Sequence, residues 1–200
     1  MKGWNINMDK IQGWNSEVPV FKIIIDELKP KVIVEVGSWK GASAMHMASL
    51  CDAKIYCIDT WLGGVVSWIR MDNGIKSSSD LMLKENGYPG VYEVFIKNIE
   101  PCKDRIIPMP MSSWEGCELL KHRKINPDLI YIDASHFYDD VLRDAHSYWE
   151  ILKQGGVMFF DDYINEAWPD TKRAVDEFIK QKGLTGKVIS GKMVIEKKGD

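Results

Sequence analysis

The chain alternates short apolar runs with segments in which apolar positions recur at helical spacing. Five runs read as strands: 32–36 (VIVEV), 54–59 (KIYCID), 105–109, 129–133 (LIYID) and 157–160. The first is β-branched and nearly unbroken, the pattern of a strand buried on both faces. Between the runs lie helical stretches. Val20, Phe21, Ile24, Ile25 and Leu28 give one helix an apolar face, with Ser16 as its cap, Pro19 in its first turn and Pro30 as its stop. Further helices are predicted over 42–50 and 91–99, and from Ser112-Ser113-Trp114-Glu115 toward His122. Residues 138–153 carry Val141, Leu142, Ala145, Trp149 and Leu152 on one face and stop at Gly155-Gly156. A last helix, capped by Asp170, carries Ala174, Val175, Phe178 and Ile179, and a terminal antiparallel pair spans 188–190 and 193–195 about Gly191.

This alternation predicts an α/β fold: a doubly wound, mostly parallel, seven-stranded sheet with right-handed crossovers and a C-terminal antiparallel pair. Residues 1–200 form one domain, with 1–15 as an arm or lid and 60–90 as an irregular insertion on the substrate side. Ligands of such sheets bind beyond the carboxyl ends of the strands. Glu35, Asp59, Asp133, Asp161 and Asp162 all fall at those ends. The turn from Gly37 to Gly41 (GSWKG) joins the first strand to a helix N-terminus, where backbone N–H groups and the helix dipole cradle an anionic group. It is neither GxGxxG nor a phosphate loop. Asp59, at the end of the next strand, suits the two hydroxyls of a ribose, so the pair points to a nucleoside-containing ligand.

Composition narrows the choice. At 200 residues, 45% hydrophobic and 28% charged, the chain can bury one sizeable core. A net charge of −3 without a basic run argues against nucleic acid as partner. Cys51, Cys57, Cys102 and Cys117 show no CxxC spacing and read as reduced thiols of a cytoplasmic protein. No apolar run nears the roughly 20 residues that span a bilayer, and the start lacks a signal peptide, so no membrane is expected. Of eight tryptophans, Trp39 and Trp61 follow strands and are the ligand candidates; the others, Trp4, Trp14, Trp114 and Trp168 among them, are expected mainly to pack.

VIVEVGSWKGAS, YCIDTW and LIYIDASHFYDDVLRDAHSYWEILKQGGVMFFDDY together resemble the Rossmann-like, class I S-adenosylmethionine (SAM)-dependent methyltransferases. The branch most similar is the small-molecule O-methyltransferases related to macrocin O-methyltransferase (methyltransferase family 24), and the resemblance runs roughly from Val32 to Phe178. It implies that Gly37, Ser38 and Gly41 hold the methionine end of SAM, with Glu35 near its amino group. It implies further that Asp59 and Thr60 meet the ribose, that Trp61 lies beside it, and that Ser113, Trp114 and Asp133 line the rest of the cofactor. Asp133, Asp161 and Asp162 resemble the acid triplet that binds Mg²⁺ or another divalent ion in metal-dependent members. Hard oxygen donors suit that ion. Without a cation such a triplet repels itself, so a metal or a basic partner is expected. Asp161 and Asp162 can share one ion only if the strand has already ended, because consecutive strand residues face opposite sides.

His136 stands three residues after Asp133, where relatives carry a histidine, and an imidazole can take a hydroxyl proton. The family's Asp-Gly-Asp-His reads Asp133-Ala134-Ser135-His136 here, so the second acid is missing. The expectation is methyl transfer from SAM to a small-molecule hydroxyl, sugar or natural-product-like, with His136 and Asp133 catalytic and a divalent ion assisting. Two alternatives stay open: a metal-independent transferase, and a SAM-binding protein without transferase activity. The sequence does not name the acceptor or the oligomeric state, a homo-oligomer included.

Overall fold

The computed structural model describes residues 17–65 and 90–198, with Gly13 and Trp68. The predicted arm, the Ser16 cap, Trp4, Trp14 and most of 60–90 lie outside the described residues.

The elements run α1 (Pro19–Leu28), β1 (Val32–Val36), α2 (Ala42–Leu50), β2 (Lys54–Asp59), α3 (Val91–Ile99), β3 (Ile106–Pro110), α4 (Ser113–His122), β4 (Leu129–Ile132), α5 (Tyr138–Ile151), β5 (Val157–Phe160), α6 (Pro169–Lys182), β6 (Gly186–Ile189) and β7 (Lys192–Glu196). The sheet is seven-stranded in the order β3-β2-β1-β4-β5-β7-β6. Its first five strands are parallel and β7 joins β5 antiparallel. The predicted class and strand count hold. Helix and strand ends differ by a residue or two. Val18 occupies the N-cap of α1, in extended conformation and without a side-chain bond. Trp168, not Asp170, is the N-cap residue of α6; Asp170 lies in its first turn. β3 begins one residue late because the Arg105 backbone N–H closes a turn onto the Cys102 carbonyl at 2.9 Å, while its guanidinium donates to the carbonyls of Cys51 (2.6 Å) and Ala48 (3.1 Å) at the end of α2.

Strand alternation divides the interior into two cores. On one face Ile33, Ile55, Tyr131, Phe159 and Val194 pack against α1, α2 and α3 through Phe21, Met45 and Phe95. On the other, Val34, Ile58, Ile130, Met158 and Ile195 meet α4, α5 and α6 through Leu120, Tyr148 and Phe178. Cys57, Cys102 and Cys117 are buried free thiols, and Cys51 is a half-buried one. No described helix is long and apolar enough to cross a membrane.

Strand order reverses between β1 and β4, and the chain leaves both strands there in close contact. Gly37 has φ 89°, and a Cβ on it would lie 1.9 Å from the Asp133 carbonyl oxygen. Its hydrogen atom is therefore required by backbone-to-backbone approach as well as by the left-handed φ. Gly37→Ala should cost about 3 kcal/mol or more by urea denaturation. Gly183→Ala, at φ 63° with open space around the added carbon, should cost only about 1 kcal/mol. Equal costs would mean that the contact with Asp133 is dispensable.

Candidate active site

The site forms where the glycine turn after β1 meets the ends of β2, β4 and β5. Gly41, at φ 83°, is the N-cap residue of α2. Ser38 is buried in the turn beside Glu35, and its hydroxyl lacks a hydrogen bond of proper geometry to protein. Glu35 is fully buried, accepts from the Ser43 hydroxyl and lies 3.4 Å from the Cys57 thiol. Burial pushes its carboxyl above the ordinary value, against the pull of the nearby hydroxyls. An orphaned buried hydroxyl above a buried acid, with a helix N-terminus behind them, is chemistry that fits the amino-acid end of SAM.

Asp59 first serves the protein. Its carboxylate accepts from the backbone N–H groups of Trp39 (2.8 Å) and Trp61 (2.7 Å), clamping the turn after β1 to the turn after β2. Both tryptophans have positive φ, 43° and 52°. Burial raises the Asp59 carboxyl, opposed by those amides. Each carboxylate oxygen has a further lone pair, so a ribose can still be met. Thr60 accepts from the Leu62 N–H at 3.2 Å. Trp61 is not an open surface for a ribose: it is 2% exposed, its ring centroid lies 4.6 Å from that of Phe95, and its indole N–H donates to the Trp39 carbonyl. The Ser113 hydroxyl is likewise engaged, donating to Asp144 at 2.7 Å across α4 and α5, while Trp114 stands exposed on the rim.

The acids after β4 and β5 do not gather as a triplet. β5 ends at Phe160, and Asp162 adopts φ 53°, so the two neighbouring aspartates diverge. Asp161 turns to the ammonium of Lys192 and accepts from the Tyr131 hydroxyl. Asp162 turns to His136, whose Nε2 lies 2.8 Å from Oδ2, and also accepts from Asn165 Nδ2 at 2.8 Å. Burial pushes Asp162 up, but these two partners hold it below its usual value. Asp133 is driven well above the carboxylate range, first by burial and then by the charges of Asp161 and Asp162. The donor atoms that do come within 4.8 Å of one another belong to Asp133, His136 and Asp162. His136 stands in this cluster in place of Asp161, which is engaged with Lys192 and Tyr131.

Three residues here were not singled out by the sequence reading. Tyr131 bridges Asp161 and Asp133, its hydroxyl 3.1 Å from the latter. Lys192 supplies the basic partner that three acids require. Trp168, expected mainly to pack, stacks on His136 with centroids 4.4 Å apart and planes at 20°. The one signal available was position, since Tyr131 and Asp133 share a strand face and Trp168 follows the Asp161-Asp162 pair within a short loop.

The chain belongs to the methyltransferase-domain family, whose model matches residues 34–163, the stretch that carries every site element from β1 to Tyr163. By that family it is a methyltransferase-domain protein, and its fold is one that solved O-methyltransferases share. The fold is shared with TomG from Streptomyces achromogenes, an O-methyltransferase involved in tomaymycin synthesis and solved with SAM. That pair is 12% identical, covers 94% of this chain and 82% of the other, and has a TM-score of 0.64. The O-methyltransferase from Bacillus cereus in complex with SAH is 13% identical over 96% of this chain and 85% of that one, TM-score 0.62. The O-methyltransferase NovP is 16% identical over 92% and 80%, TM-score 0.66. Among curated sequences, uncharacterized protein R132 of Acanthamoeba polyphaga mimivirus is 34% identical over 53 residues, which span 26% of this chain and only 24% of that protein.

Asp144 yields a pH test of the α4–α5 link. Burial pushes its carboxyl from 3.8 to about 6. The folded state therefore holds the proton more tightly than the unfolded chain. Its contribution to stability is complete below pH 3.8 and is lost as the pH rises through about 6. Asp144→Asn, which can still accept from Ser113, should be more stable than wild type by about 3 kcal/mol at pH 8, with the gap closing toward pH 4. Urea denaturation at the two pH values measures it; a gap that does not change with pH would contradict the assignment.

Proposed function

We propose that the protein transfers the methyl group of SAM to a hydroxyl oxygen of a small molecule, with His136 as the acceptor of the hydroxyl proton. The observation that carries this is the His136–Asp162 pair on the carboxyl edge, beside the turn suited to SAM. Bound SAM supplies an electrophilic methyl group to an oxygen held in line with it. Asp162, ionised and an acceptor only, takes the Nε2–H of His136 and so leaves the imidazole lone pair on Nδ1. That nitrogen receives the proton as the oxygen loses it. Trp168, stacked on the ring, holds its plane.

Asp133, His136 and Asp162 have the donor chemistry for a divalent ion. Such an ion, when bound, would occupy the imidazole lone pair and lower the pKa of the acceptor hydroxyl itself, so it would replace His136 as the group that activates the oxygen. With one nitrogen among the donors, Mn²⁺, Co²⁺ or Zn²⁺ suits this group better than Mg²⁺. One observation favours a second, metal-free reading: the 2.8 Å contact already makes His136 and Asp162 a self-sufficient pair. Phe137 and Ile164 stand exposed beyond β4 and β5, which supports an acceptor with an apolar body, in keeping with a natural-product-like hydroxyl compound.

Calorimetric titration with S-adenosylhomocysteine should give binding in the micromolar range, with no heat from NAD. His136→Ala should keep that affinity within about threefold and lower methyl transfer by about 10²–10⁴. No product binding would remove the cofactor assignment. Undiminished transfer by His136→Ala would remove its role. Loss of transfer on chelation supports the ion, and unchanged transfer supports the His136–Asp162 pair alone.

A further inference from the structure

Lys192 is 1% exposed, an unusual place for an ammonium group. It heads β7, and its side chain shares the sheet face of Val194, the face covered by α1, α2 and α3. Because β7 lies next to β5, that face also carries Asp161, the residue two beyond Phe159. Tyr131 of β4 projects to the same side, with Asp133 two residues further along the chain. The ammonium pairs with Asp161 and sits 5.4 Å from the Tyr131 ring centroid and 5.7 Å from that of Phe21. The Tyr131 hydroxyl reaches both Asp161 and Asp133. A buried ammonium in this setting stays with its carboxylate, since separating them would leave two uncompensated charges out of water.

We propose that Lys192 is a built-in cation: it supplies at Asp161 the positive charge that a bound ion supplies to an acid triplet, and so withdraws Asp161 from ion binding. Lys192 is a positioning residue. It fixes Asp161, Asp161 and Tyr131 fix the carboxyl of Asp133, and any divalent ion is left to Asp133, His136 and Asp162. The inference rests on reading this edge as the methyl-transfer site.

The test is calorimetric titration of the full chain with Mn²⁺, alone and after saturation with S-adenosylhomocysteine. It compares wild type, Lys192→Met, and Lys192→Met combined with Asp161→Asn. The single change frees a buried carboxylate next to the acid pair, so Mn²⁺ affinity should rise by about tenfold or more. A side chain that merely packs would not produce that gain. The double change removes both charges and should return Mn²⁺ affinity to within about threefold of wild type. Affinity for the homocysteine product should stay within about threefold in all three proteins, because Lys192 does not reach the glycine turn. Unchanged or weaker Mn²⁺ binding in Lys192→Met would overturn the proposal. So would a loss of about tenfold in the double variant, since that would make Asp161 a ligand. Should Lys192→Met fail to fold, the double variant decides alone: Mn²⁺ affinity within about threefold of wild type supports the proposal, and a loss of about tenfold overturns it. Failure of wild type to bind the homocysteine product would instead strike the functional reading, leaving the ion titration to judge Lys192.

Discussion

The structure depends on how charge is balanced where the sheet ends. Three carboxylates arrive at the carboxyl ends of two adjacent parallel strands, and buried like charges cannot persist without compensation. The chain meets this by splitting them. Asp161 goes to the α1–α3 face and Lys192, Asp162 goes to His136, and Asp133 lies between, touching Tyr131. The left-handed backbone at Asp162 makes the split possible, since it turns the chain immediately after the strand. The acid pair that resembles a shared ion site therefore serves two separate tasks: one holds the interior, the other holds an imidazole.

The other half of the site is organised by backbone approach. The reversal of strand order between β1 and β4 opens the crevice in which doubly wound sheets bind ligands, and Gly37 lets the two strand ends close up at its base. Asp59 ties the first two turns together through the amides of Trp39 and Trp61. The glycine turn and the acid edge thus sit side by side as a consequence of topology. A methyl donor in the first would face a proton acceptor on the second, which is the arrangement a transfer reaction needs.

Much of this was legible in the sequence, and for identifiable reasons. β1, β2 and β5 are short, apolar and bounded by turn residues, so period and punctuation alone mark them; helices 42–50 and 91–99 are bounded likewise. The acids at strand ends follow from the same reading, as does the warning that Asp161 and Asp162 face apart. What could not be read was anything requiring strand order beyond neighbours in sequence. Lys192 meets Asp161 only because β7 inserts beside β5, and no local pattern encodes that adjacency. Trp61 was expected at the ligand and is buried against Phe95, because a residue after a strand can turn inward as readily as outward. Ser113 was expected near the cofactor, yet its hydroxyl goes to Asp144 on a helix that lies thirty-one residues on.

A groove of about 570 Å³ lies at the opposite, amino-terminal edge, beside Lys29, Leu50 and Cys51. It is larger than the small cavity next to His136, but among the described residues no histidine and no glycine turn lines it, so chemistry favours the carboxyl edge over volume. Amide hydrogen exchange with and without S-adenosylhomocysteine decides between them most directly. The account predicts added protection at residues 37–41, at 59–61 and at 133–136, with the amino-terminal edge unchanged. Protection confined to the groove near Lys29 and Cys51, or none at the glycine turn, would contradict it.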